Sequence, residues 1–197
     1  MMALAYELQH MKNEAPMVFD KLSVGDYTVA AAFTTIQAAG GPVMLDDFFY
    51  GRKDAASAGD CNPLSNIPTA NNYVDCLKEK GFTDEQIVAL TSVEAFGIVQ
   101  DPVHTSGSIF PRFTNYYYKN LLSSSDSDKL PHARALLGSD DLRTIVEKYA
   151  EDQEEFHKVF KGAFVQLCEL GTGDELVDVE EFVKDHPDFK NAYPELC

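Results

Sequence analysis

Val88-Ala-Leu-Thr-Ser-Val-Glu-Ala-Phe-Gly97 is the stretch on which the reading of this chain turns. Thr83-Asp-Glu-Gln86, just before it, is a capping box: the Thr hydroxyl and the Gln side chain each satisfy an amide at the start of a helix. A helix begun there carries the stretch, and Ile87, Leu90, Thr91 and Glu94 then share one face. Ile87, Leu90 and Thr91 suit an interior; Glu94 does not. A buried carboxylate is costly unless it is hydrogen-bonded, paired or bound to a metal. Glu94 is either a ligand or a carboxylate satisfied by hydrogen bonds or solvent, and the second is the economical reading.

Outward from this helix the pattern stays helical. Asp26 is a candidate cap for a helix ending at Ala38, which Gly40-Gly41-Pro42 stops. Residues 43–68, rich in Gly, Asp, Asn and Pro, read as loop with a short strand or two. Residues 69–80 form a short helix ended by Gly81. Ser123-Ser-Ser-Asp-Ser-Asp128 is a polar, acidic loop. Ser139 caps a helix over 140–149 with Leu142, Ile145, Val146 and Tyr149 on one face. The clearest helix covers 152–170, where Phe156, Phe160, Ala163, Phe164, Leu167 and Leu170 recur at spacings of three and four. Gly171 ends it. His157 falls on the polar side of that helix and is expected to be solvated, and Tyr116, Tyr117 and Tyr118 are expected to pack into a core.

The totals bound the function. The 197 residues are 45% hydrophobic, enough for one substantial core. No run approaches the length of a membrane span, and the N-terminus lacks the basic-then-apolar pattern of a signal peptide. Thirty-two acidic against sixteen basic residues give a net charge of −16, which argues against nucleic acid or anionic lipid as partner. That charge suits solubility, or docking on a basic protein surface. Among four cysteines, Cys61 and Cys76 could be bridged, Cys168 reads as a small buried thiol and Cys197 as free; no C-x-x-C pair marks zinc. His10, His132, His157 and His186 show no metal-ligand spacing. From Thr172 onward eight acidic side chains face two basic ones, marking 172–197 as an acidic docking tail after a domain of 1–171. Asp178-Val-Glu-Glu181 there could cap a further short helix, and Leu170 and Glu175 fall where a calcium loop needs its first ligand and its glycine, so calcium is discarded.

Several blocks in order carry a family likeness. Val88, Ala89, Leu90 and Gly97 match V-A-L-S-G-G-H-T-L-G, the proximal helix of ascorbate peroxidases. Glu7-Leu-Gln-His10 with Asn13 matches E-L-x-H-x-x-N, and Gly40-Gly41-Pro42, Gly51-Arg52-Lys53-Asp54-Ala55 and Ile67-Pro68 match G-G-P, G-R-K-D-A and L-P. Phe113-Thr-Asn-Tyr-Tyr-Tyr-Lys-Asn-Leu-Leu122 is similar to F-D-N-x-Y-F-K-x-L-L, and Leu130-Pro-His-Ala-Arg-Ala-Leu-Leu137 to L-P-S-D-K-A-L-L. Val146-Glu-Lys-Tyr-Ala150 and Leu167-Cys-Glu-Leu-Gly171 complete the series. The chain from 7 to 171 thus resembles the class I, ascorbate peroxidase-like group of plant-type haem peroxidases.

The resemblance implies a mainly α, haem-peroxidase-like helical domain with short irregular or β segments. It also implies losses. The iron-binding histidine is replaced by Glu94, and the aspartate that hydrogen-bonds it by Thr114. Ala95, Gln100 and Val103 stand where a cation-binding threonine, a propionate-binding histidine and an ascorbate-binding arginine are expected, and the chain has no tryptophan. The family's distal Arg–His helix precedes the E-L-x-H segment, so the domain is expected to lack its distal, N-terminal helices and to leave an apolar face for a partner. His104 is the nearest histidine to the lost ligand and, with Glu94, the candidate for any residual iron ligation. Arg52, Lys53 and Asp54 look like site residues, yet an ion pair is the simpler role. No catalytic, cofactor-binding or metal-binding residue is therefore assigned, and no cofactor. The pattern of losses is similar to that of a lumenal peroxidase-like branch of thylakoids, which implies a plastid, the thylakoid lumen and the protein subunits of a photosystem-type complex as partners.

Overall fold

The computed structural model describes residues 22–57, 72–95, 112–125, 131–172 and 175–178. It is mainly helical, as the periodicity predicts. The order is α1 (Val24–Ala38), a 3-10 turn (Leu45–Asp47), β1 (Phe49–Tyr50), α2 (Tyr73–Glu79), α3 (Asp84–Ala95), α4 (Tyr116–Ser123), α5 (Pro131–Leu137), α6 (Asp140–Glu151), α7 (Gln153–Glu169) and β2 (Val177–Asp178). The expectations on the 7–13 segment, Ile67-Pro68, Cys61, Gln100, Val103, His104, His186, Cys197 and most of the acidic tail lie outside the described residues.

Local chemistry explains the helix ends. Ser23 Oγ accepts the Asp26 amide at 3.0 Å and the Asp26 carboxylate accepts the Ser23 amide at 3.2 Å, a reciprocal capping box. The cap of α1 is thus Ser23, and Asp26, expected as the cap, sits in the first turn because a residue of the same kind lies three positions earlier. The other end of α1 closes through Gly40, at φ 86°, with the Gly41 amide returning to the Ile36 carbonyl. Gly81 ends α2 in the same way, and Phe82 buries itself as its amide returns to Leu77. Thr83 and Gln86 form the expected box at α3, with bonds of 2.9 and 3.3 Å. Asp152 caps α7 by accepting the Glu155 amide.

The chain divides into two compact units. The first holds the described residues 22–34, 44–57, 168–172 and 175–178. Here β1 and β2 pair antiparallel, Phe49 opposite Asp178 and Tyr50 opposite Val177. Phe33 and Phe48 meet edge to face with ring centroids 6.3 Å apart, beside the fully buried Met44.

The second unit holds the described residues 35–43, 72–95, 112–125 and 131–167. Its core is aromatic. Phe156 lies fully buried among Phe113, Tyr118, Tyr149 and Phe160, with centroids 5.1 to 5.9 Å away. Leu142, Val146 and Tyr149 of α6 are buried as one stripe, and Phe156, Phe160, Ala163 and Phe164 supply the buried stripe of α7. Leu170, expected to continue that stripe, is 41% exposed, because the helix has ended one residue before it. Asn115 closes α6 by donating its side-chain amide to the Tyr149 and Ala150 carbonyls at 3.1 and 2.9 Å.

Candidate functional site

Glu94 lies in the last turn of α3, as the capping box predicts. The helix leading to it is sealed: Ile87, Val88, Ala89, Leu90, Thr91 and Ser92 are all buried. Thr91 and Ser92 bring hydroxyls into this apolar setting, and each turns back onto its own helix. Thr91 donates to the Val88 carbonyl at 2.6 Å and Ser92 to the Ala89 carbonyl at 2.8 Å. From α4 the Tyr118 hydroxyl reaches the same two carbonyls at 3.0 and 3.3 Å. Burial pushes the Tyr118 phenol well above its ordinary value, so it remains a donor.

Thr114 is half-buried, and its hydroxyl accepts the Tyr116 amide at 3.3 Å in the turn that starts α4. It serves its own helix start and offers no carboxylate. Next to it the structure corrects the sequence. His157, expected to be solvated, is half-buried: its Nε2 lies 3.2 Å from the Phe113 carbonyl and its ring stacks on Phe113, centroids 5.9 Å apart. The polar stripe of α7 is covered here by the segment entering α4, which helix periodicity alone does not register.

Burial holds the His157 imidazole below its usual 6.5, against a smaller upward pull from the Phe113 carbonyl. The unfolded chain then takes up the proton first. The stabilising contribution is complete above pH 6.5 and is lost as pH falls from there through the lower folded value. Urea midpoints should therefore drop between pH 7 and pH 5, and His157→Phe should flatten that part of the profile. An unchanged slope in His157→Phe would show that another group titrates.

In the first unit Arg52 and Asp26 form an ion pair of 2.9 Å, with side chains 10% and 1% exposed. Arg52 also donates to the Phe49 carbonyl, and through Nε and Nη2 to the Cys168 carbonyl at 3.2 and 3.0 Å. Burial alone would raise the Asp26 carboxyl; amides of Gly51, Ser23 and Arg52 together with the guanidinium hold it below its ordinary value. Asp54 accepts the Val24 and Gly25 amides at the start of α1, and Lys53 pairs with Glu175 in the open at 2.6 Å. The G-R-K-D block is therefore a set of ion pairs and caps. A cleft of about 550 Å³ adjoins it, lined by Gly25, Val29, Arg52, Leu170 and Thr172 among others. Its hydroxyls serve their own turns, Thr28 bonding the Val24 carbonyl and Thr172 the Glu169 carbonyl. Cys168 beside it is half-buried, and burial pushes its thiol up to about 11, which leaves it protonated and unreactive at neutral pH.

Haem iron asks for a side-chain donor such as a neutral imidazole aimed at the metal. The described side chains do not fit that demand. Thr91 and Ser92 of α3 have hydroxyls committed to carbonyls of their own helix, and His157 is committed to Phe113. Among the described residues no three His, Cys, Asp or Glu converge as a metal site. Ala95 closes α3, His132 lies in α5, and Cys76 is buried in α2. Two residues that organise these surroundings went unread. Ser23 followed by Asp26 is itself a capping signal, and Tyr118 stands where the family motif writes Phe.

Comparison with known proteins identifies the family. A family model described as peroxidase matches residues 6–152. The chain is 31% identical over 180 residues to cytosolic L-ascorbate peroxidase 1 of Oryza sativa subsp. japonica, covering 85% of this chain and 68% of that protein. It is 30% identical over 192 residues to a probable chloroplastic L-ascorbate peroxidase 8 of the same rice, covering 83% and 39%. A putative heme-binding peroxidase of Cryptococcus neoformans var. neoformans serotype D is 33% identical over 168 residues, covering 76% and 51%. The chain thus spans between 39% and 68% of the length of these relatives.

Proposed function

This chain belongs to the peroxidase family, among the class I plant-type haem peroxidases, and from that premise we propose that it is a peroxidase-like protein without peroxidase chemistry. It serves as an accessory or structural subunit of a larger protein assembly. The observation that carries this reading is the replacement of an interacting pair: Glu94 holds the iron ligand's position and Thr114 that of its hydrogen-bonding aspartate. Thr114 is spent on the start of α4, which supports the same conclusion. A carboxylate ligand with no acceptor behind it gives neither the imidazole donor nor the tuned basicity that this iron chemistry uses.

The partner side of the proposal rests on charge and family. A net charge of −16 favours a basic protein surface, and residues 172–197, beyond a peroxidase-like part of 1–171, are the proposed docking tail. Among the described residues no helix is long and apolar enough to cross a membrane. Two matched relatives are named chloroplastic, which supports a plastid, and the thylakoid lumen with a photosystem-type complex is the proposed location.

Hemin titration tests the chemistry. Purified protein mixed with one equivalent of hemin should give the spectrum of free hemin. A stoichiometric shifted Soret band would overturn the reading in favour of a residual haem peroxidase using Glu94 or His104. For the assembly, the protein should migrate with a complex in native gels of solubilised thylakoids; migration alone near 21.8 kDa would favour a free acidic regulatory binder instead.

A further inference from the structure

Three carbonyls of α3 receive side-chain hydroxyls from two other helices. Tyr149 of α6 donates to the Glu85 carbonyl at 3.1 Å, and Tyr118 of α4 to those of Val88 and Ala89. Positions 85, 88 and 89 are one face of a helix, being spaced by three and four. The two rings pack edge to face, centroids 5.4 Å apart, and both residues are fully buried. Ser92, one turn further along that face, sends its hydroxyl to the Ala89 carbonyl as well.

We infer that Tyr118 and Tyr149 form a two-tyrosine clip that fixes the rotation and depth of α3, so that the helix carrying Glu94 keeps its place with no prosthetic group beside it. The Glu85 carbonyl has a second lone pair for Tyr149 after taking its own amide, whereas the single Tyr118 proton is shared between the Val88 and Ala89 carbonyls alongside the Thr91 and Ser92 hydroxyls. A phenol in an apolar core has no water to turn to, and any shift of α3 by one residue strands both hydroxyls. The clip therefore selects one rotational setting, where apolar packing alone tolerates several. In the family motif position 118 is Phe, which cannot donate; the second half of the clip is a property of this chain. Positions 92 and 93, glycine in that motif, are Ser and Val here, and Ser92 joins the same set of bonds.

The inference rests on the haem-free reading, and its test is kept apart from it by using protein prepared without hemin throughout. Hydrogen exchange is followed by mass spectrometry in the full chain, in Tyr118→Phe and in Tyr149→Phe. Tyr118→Phe should lower the folding constant about tenfold. It should also raise exchange in residues 88–93 by more than in α7. Tyr149→Phe should loosen the first turns of α3 instead. Exchange in α3 that stays at the wild-type rate in both variants would overturn the clip, whatever hemin does. Loss of stability spread evenly over all helices would overturn it too, since that is the signature of packing alone. Should Tyr118→Phe fail to fold, Tyr149→Phe carries the test alone, with a rise expected in the first turns of α3 and no change there overturning the proposal.

Discussion

Arg52→Ala should cost about 3–5 kcal/mol of stability, the range for breaking a buried ion pair by removing one partner. The reason is what remains behind. Asp26 is 1% exposed, and without the guanidinium its charge keeps only the amides of Ser23, Gly51 and residue 52. The Phe49 and Cys168 carbonyls lose their donor in the same stroke. Arg52→Lys should recover only part of the loss, because an ammonium cannot reach Asp26 and the Cys168 carbonyl at once with a planar fork. Asp26→Asn with Arg52→Met should be milder than Arg52→Ala alone, since no charge is then stranded. Thermal unfolding of the variants checks all three, and a Tm for Arg52→Ala within a degree or two of wild type would contradict the ion pair as the centre of the first unit.

The other large effect is expected in the second unit. Phe156→Ala should destabilise by about 3–5 kcal/mol, the range for deleting a fully buried aromatic ring. Phe156 makes ring contacts with Phe113, Tyr118, Tyr149 and Phe160, which belong to three helices and the segment leading into α4. No single neighbour can collapse into the space without leaving the others, so the cavity stays. Phe164→Ala, at 8% exposure and further along the same stripe, should cost less. Urea unfolding monitored by circular dichroism separates the two: a lower midpoint at unchanged slope reports lost stability, and a changed slope reports a loosened native state. Equal losses in the two variants would show that the aromatic cluster is not centred on Phe156.

What the sequence made legible follows from the range of each interaction. The boxes at Thr83–Gln86 and the glycine stops at Gly81 and Gly171 are settled within a few residues, and they are where the pattern places them. The apolar stripes of α6 and α7 are readable for the same reason. Asp26 shows the limit of local reading: as a lone acid before an apolar run it looks like a cap, but Ser23 takes that place and frees Asp26 to receive Arg52. His157 was out of reach, because its partner is the carbonyl of a residue 44 positions away. The site itself was legible only as a pattern of replacements. Glu94 and Thr114 could be set against a family motif, whereas the tyrosine hydroxyls on α3 depend on how three helices meet.

Arg52 and the Cys168 carbonyl are 116 positions apart in the chain. During synthesis the segment with Ser23, Asp26 and Arg52 emerges long before the wall that Cys168 and the strand Val177–Asp178 provide. Loop closure over such a span is slow compared with the local closure of a helical hairpin. The first unit thus closes only after residue 168 has been made, while helices α2 to α6 precede it in the chain and can consolidate as they appear. A ribosome-stalled chain ending before Cys168 would leave that guanidinium half-satisfied, so the order of maturation is written into the contacts that reach back from residues 168–178.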